Sequence, residues 1–145
     1  MIRILGFVFL LASGLTGLSQ SYRFRTYSIE QGLSQSVVNC VLQDSHGYLW
    51  VGTQNGLNRF DGYQFSVFLY NPDDSVSLSN NWIYAIAEDK NGDLWIGTKQ
   101  GLNRYNRKRD NFQRIPHSSN YGGLISYCVY DVIVASTGII YLNTT

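Results

Sequence analysis

One segment occurs twice in register, and it decides most of what this chain can fold into. Residues 44–60 read Asp-Ser-His-Gly-Tyr-Leu-Trp-Val-Gly-Thr-Gln-Asn-Gly-Leu-Asn-Arg-Phe. Residues 89–105 read Asp-Lys-Asn-Gly-Asp-Leu-Trp-Ile-Gly-Thr-Lys-Gln-Gly-Leu-Asn-Arg-Tyr. Asp44 and Asp89, Gly47 and Gly92, Trp50 and Trp95, Gly52 and Gly97, Thr53 and Thr98, and Gly56 and Gly101 correspond at an offset of 45 residues. Identity at a fixed period of this size marks a repeat protein. Each copy reads as turn, strand, turn, strand. An Asx side chain that can bond its own backbone, followed by a Gly for positive φ, makes a tight hairpin turn. The run Leu94-Trp-Ile-Gly-Thr98 is bulky, β-branched and too short for a helix.

The rest of the chain falls into the same frame. Strands are expected near 37–43, 48–53, 57–60 and 64–70, and again at 82–88, 94–98, 102–105 and 111–115. Asp61-Gly62 marks the last hairpin of the first unit. Arg107-Lys-Arg-Asp110 replaces it in the second, and its basic run reads as a solvated loop tip. A third unit starts with a strand over 127–134 and continues over 138–144. There Ala135 stands for the Asp, Tyr141 for the Trp and Asn143 for the Gly. Residues 22–27 alternate apolar and polar and read as the last strand of a further unit. The division is a closing strand at 22–27, blades at 36–70 and 81–115, and a partial blade at 126–145.

The innermost runs, such as Trp82-Ile-Tyr-Ala-Ile-Ala87, are nearly continuous in apolar residues. A strand wet on one face alternates, so a continuous run implies cover on both faces. Four-stranded antiparallel sheets that repeat every 40–50 residues and are buried on both faces are blades of a β-propeller. In this reading the Trp fills the space between neighbouring sheets, and the Gly two residues later lets an adjacent backbone approach. A propeller needs about four blades to close, so the chain reads as the N-terminal fragment of a longer propeller whose remaining blades are its partners.

Charged residues make up 14% and aromatics 14% of the chain, which suits buried β surface and opposes disorder. A net charge of +1 gives no basis for nucleic-acid binding. Residues 1–19 have a basic start, an apolar segment and a small-x-small end, the pattern of a secretory signal peptide. The mature part, from residue 20, then has no membrane contact of its own. Cys40 and Cys128 lie two units apart and read as separate buried small hydrophobes.

Residues 32–62 and 77–106 resemble the two-component regulator propeller repeat, with its Asp-x-x-Gly-x-Leu-Trp-x-Gly-Thr-x-x-Gly-Leu-x-Arg pattern and the Gly32-Leu-Ser34 lead-in. The resemblance implies a large periplasmic propeller in the sensor region of a hybrid two-component histidine kinase, often tuned to oligosaccharides. The sequence carries no GxSxG, no phosphate loop and no paired acid pattern, so neither catalysis nor a cofactor is expected of this segment.

A residue repeated in every blade serves the blade, whereas a ligand site needs residues that differ between blades. The repeated Asp, Gly, Trp and Thr positions are therefore scaffold. Asp89-x-Asn91-x-Asp93 lacks the Gly and Glu of a calcium loop, and no metal site is expected. His46 and His117 read as surface residues. Ligand candidates come from the connections between blades and from the turns between the second and third strands: Asn55, Asn81, Trp82, Gln100 and Tyr127. Amides and aromatics suit sugar hydroxyls and the apolar face of a sugar ring. Three functions remain open: a non-catalytic glycan sensor, a propeller-type polysaccharide lyase or glycosidase, and a propeller for protein interaction. An enzyme needs a carboxylate pair at non-repeating rim positions, for which the loops offer Glu30, Asp73 and Asp74.

Overall fold

The computed structural model describes residues 22–116 and 128–144. The signal-peptide reading of 1–19 and the ligand candidate Tyr127 lie outside the described residues, as do His117 and the final residue. The first blade is a four-stranded antiparallel meander of β1 (Val38–Gln43), β2 (Leu49–Thr53), β3 (Gly56–Phe60) and β4 (Phe65–Phe68). The second is β5 (Ile83–Glu88), β6 (Leu94–Thr98), β7 (Gly101–Asn106) and β8 (Asn111–Arg114). β9 (Val129–Val134) and β10 (Ile140–Thr144) form a third, two-stranded hairpin. Apart from one 3-10 turn at Ile29–Gln31, the described residues contain no helix. None of them forms a helix long and apolar enough to cross a membrane.

The two blades share one register at the 45-residue offset. Trp50 faces Arg59 across β2–β3, and Trp95 faces Arg104 across β6–β7. In the third hairpin Tyr141 takes the Trp position and Asn143 the Gly position. The decayed motif therefore keeps the geometry of the pairing. At each β1–β2-type turn the carboxylate organises the backbone. Asp44 Oδ1 accepts from the amides of His46 and Tyr48, at 2.9 Å each, and Gly47 takes φ +88. Asp89 repeats this with Asn91 and Asp93. The second oxygen of each Asp accepts the indole N–H of its own blade's Trp, at 2.8 Å for Trp50 and 3.0 Å for Trp95. One repeated carboxylate thus fixes both the turn and the large filler.

Trp50 is fully buried and packs on Phe68 of its own blade and Tyr105 of the next. Leu57, Leu78, Ile83, Leu94, Ile96 and Phe112 complete this first seam. Ala85, Leu102, Val129 and Val132 form the second seam, with Trp95 packed against it. The glycines behave as the sequence requires. A Cβ on Gly52 would lie 2.7 Å from Ile83 Cγ2, and one on Gly97 would lie 2.7 Å from the Val129 carbonyl oxygen. The lead-in segments are tied down by a repeated polar set. The fully buried Asn58 accepts the Ser34 amide at 2.9 Å, and Asn103 accepts that of Ser79 at 3.0 Å.

Two expectations need correction. Residues 22–27 form no strand. A strand needs a partner for its backbone groups, and none is present beside them among the described residues; Tyr27 instead packs its ring on Phe60 and Phe65. The tip 107–110 is not simply solvated. Arg107 turns inward and bonds Asp44 Oδ2 at 2.8 Å, Glu88 Oε1 at 2.9 Å and the Gly92 carbonyl at 2.7 Å. Asp110, with φ +53, pairs with Arg59 at 2.7 Å and with the Tyr105 hydroxyl.

Candidate ligand-binding rim

The two classes of loop named from the sequence meet at one end of the blades through backbone bonds, one of them between blades. The Gly56 amide donates to the Asn81 carbonyl at 2.7 Å, joining the β2–β3 turn to the connection before β5. The Lys99 amide donates to the Trp82 carbonyl at 3.1 Å, and the Gln54 amide to the Val37 carbonyl at 3.3 Å. Cys128 Sγ approaches the Lys99 carbonyl at 3.3 Å. Asn55, Asn81, Trp82 and Gln100 are thereby brought to one rim. Asn55 and Gln100 are exposed, and Asn81 and Trp82 are half-buried.

These residues differ in how much of their chemistry the fold consumes. The Asn81 carboxamide oxygen accepts the Tyr70 amide at 2.6 Å, so this side chain is a strut between blades. The amides of Asn55 and Gln100 donate to Thr53 and Thr98 Oγ1, at 3.1 Å each, which closes the two turns. Trp82 presents its ring, with Lys99 Nζ 5.5 Å from the centroid. Beyond it lie Tyr84, 6.1 Å away centroid to centroid, and Tyr130, 4.8 Å from Tyr84. In the sequence these two tyrosines are hidden inside apolar strands. The available signal is that the aligned position holds Asn39 in the first blade and tyrosine in the next two.

The opposite end carries the Asp turns and a cleft of about 530 Å³, lined by His46, Asp93, Arg104, Arg107 and Lys108 among others. Much of the charge on its wall is already paired within the fold. Arg104 pairs with Asp93 and lies over the Trp95 ring, and Arg107 is committed to Asp44 and Glu88. Burial alone would raise the Asp44 carboxyl, but the Trp50 indole and Arg107 outweigh it and hold the group below the usual carboxylate range. Burial likewise pushes the Cys40 thiol up to about 11, so it behaves as a neutral packing group. Cys40 and Cys128 are not joined in a disulfide.

A run of antiparallel four-stranded blades seamed by buried Trp and close-packed Gly defines part of a β-propeller. Residues 32–55 and 77–100 match the two component regulator propeller family, and these two segments are repeats of it. Histidine kinase P4 of Formosa agariphila is 45% identical over 69 residues, which is 48% of this chain and 5% of that kinase. A solved structure, described as the extracellular domain of a hybrid two component system from B. thetaiotaomicron, superposes with a TM-score of 0.72 at 30% identity. That likeness covers 81% of this chain and 17% of the solved one. The chain therefore spans a small part of the length of the proteins it matches.

Proposed function

We propose that this chain is part of the ligand-sensing propeller of a two-component regulator of the hybrid histidine kinase type. In this reading the propeller lies in the periplasm, performs no catalysis and recognises a glycan-derived ligand. The observation that carries the reading is the pair of regulator propeller repeats, together with 30% identity across most of the chain to an extracellular domain of a hybrid two component system. The secretory character of residues 1–19 supports export.

A sensing role also draws support from the rim, where amide and aromatic side chains meet at the stitched end of the blades. A purely receptive role draws support from the carboxylates. Asp44 and Asp89 hold their tryptophans, Asp93 holds Arg104, Asp110 holds Arg59, and Asp74 caps the Val76 amide at 3.0 Å. A glycosidase instead needs two carboxyl groups facing a sugar across about 5–9.5 Å. Phosphotransfer belongs to other segments of such a kinase.

The test is calorimetry of the complete extracellular region against cello-, xylo-, laminari- and arabino-hexaose, with product analysis of the same mixtures. Saturable binding without cleavage is the expected result. Cleavage would make the protein an enzyme, and silence across the panel would leave a propeller for protein contacts.

A further inference from the structure

The inner strand of every described blade is broken at the same place. Pairing in β1–β2 jumps between Val38 and Cys40, in β5–β6 between Ile83 and Ala85, and in β9–β10 at Val129–Asp131. An extra residue in one strand is a β-bulge, which bends the strand and re-aims a side chain. Here its effect on packing is visible. Without a bulge, Ile83 and Ala85 would face the same side of the sheet. With it, Ile83 packs into the first seam and Ala85 into the second. The residue between them is committed to neither seam.

That intervening residue is Asn39 in the first blade, Tyr84 in the second and Tyr130 in the third. The backbone device recurs in all three blades, while the side chain is Asn in the first and Tyr in the next two. Neighbouring inner strands touch one another, β1 with β5 and β5 with β9, so the three positions follow one another along the inner edge of the blades. Asn39 is exposed and reaches the next blade, its carboxamide nitrogen donating to the Ile83 carbonyl at 2.7 Å. Tyr130 is 39% exposed, Tyr84 is half-buried, and their rings meet at 4.8 Å and 51°. Trp82 extends the strip toward the rim.

Resting on the sensing role proposed above, we infer that the bulge residues of the inner strands form the recognition surface, with Tyr84 and Tyr130 as a stacking platform for a pyranose or furanose ring. The scaffold explains why the bulge is there, but not why two consecutive bulges carry tyrosine. A tilted pair of phenols offers an apolar surface for the C–H face of a sugar and hydroxyls for its rim. Few side chains combine both at so small a conformational cost. Trp82 gives a second surface on the same strip, so the site is sized for more than one sugar unit. The exposed polar loops at Asn55 and Gln100 then border the site rather than form its centre.

The experiment titrates the complete extracellular region with the four hexaoses, comparing the wild type with Tyr84→Ala, Tyr130→Ala, Tyr84→Phe and Tyr63→Ala, the last an exposed tyrosine in the β3–β4 turn. Thermal melts serve as a fold check. Tyr130→Ala and Tyr84→Ala should each weaken binding about tenfold, the scale of one lost aromatic contact. Tyr84→Phe should retain most of the affinity, and Tyr63→Ala should change it less than about threefold. If Tyr84→Ala proves unstable, Tyr130→Ala carries the test, since its ring is exposed. Binding that survives both Ala variants overturns this inference and leaves the sensing role standing. Binding by no hexaose, in the wild type, overturns both.

Discussion

Arg107→Met removes a cation and keeps most of its stem. The guanidinium makes three bonds, to Asp44 at 2.8 Å, Glu88 at 2.9 Å and the Gly92 carbonyl at 2.7 Å. The Asp44 side chain is fully buried and that of Arg107 is 21% exposed. Bonds to charged groups are worth about 1.5–3 kcal/mol each, and breaking a fully buried pair costs about 3–5 kcal/mol. The loss here falls below the sum of the three. Asp44 keeps Trp50 and two backbone amides as donors, and Glu88 keeps Ser45. A local destabilisation of about 2–3 kcal/mol follows, with the aliphatic stem still packed. Native-state hydrogen exchange on the complete extracellular region reads it directly at the Ser45 and Tyr48 amides. Their exchange should accelerate by about 30- to 150-fold, at 1.4 kcal/mol per factor of ten. Lys108→Met is the control, one residue away and exposed, and should change exchange by less than a factor of about three. Equal effects of the two substitutions would show that Arg107 belongs to a solvated tip and that the bonds to Asp44 and Glu88 contribute nothing.

Acid should act on the same place. The folded carboxyl of Asp44 lies below its ordinary value, so its stabilisation is present above the unfolded value of about 3.9 and is lost as pH falls through the folded one. Exchange at Tyr48, after correction for the intrinsic rate, should therefore rise only below about pH 4, and Asp44→Asn should flatten that dependence. Gly97→Ala should cost about 1–3 kcal/mol by overpacking, seen as faster exchange in β9, because the added carbon meets the Val129 backbone oxygen at 2.7 Å; unchanged protection there would mean that the second seam is looser than described. In the hexaose titrations Trp82→Ala should weaken binding more than His46→Ala, since the two residues lie at opposite ends of the blades; equal effects would remove the rim assignment and leave the fold intact.

The parts of the structure legible in the sequence were those written twice. Trp50 and Gly52 could be read as filler and close approach because Trp95 and Gly97 repeated them, and the packing agrees at both seams. The bonds of Arg107 could not be read. They occur in one blade only, and the partner Asp44 lies 63 residues earlier. Alternation of apolar residues at 22–27 was a true local pattern without the neighbouring strand that would make it a strand. The candidate rim was half legible. Turn chemistry placed Asn55, Asn81 and Gln100 correctly in loops, and backbone bonds bring those loops together. It could not show that the Asn81 side chain is spent on Tyr70, nor that a shifted register leaves Tyr84 between two seams.

The clamp around Arg107 gives the first seam two kinds of cohesion. That seam combines an aromatic core with ion pairs from Arg107 to Asp44 and from Arg59 to Asp110. At the second, Val134 and Ala135 stand where Glu88 and Asp89 stand one blade earlier, and the described ion pairs do not cross it. Acid and salt loosen the charged part of the first seam's cohesion and spare the apolar part. A load that slides β1–β4 against β5–β8 therefore meets directional charge-assisted bonds, and one that pulls them apart meets the aromatic core as well.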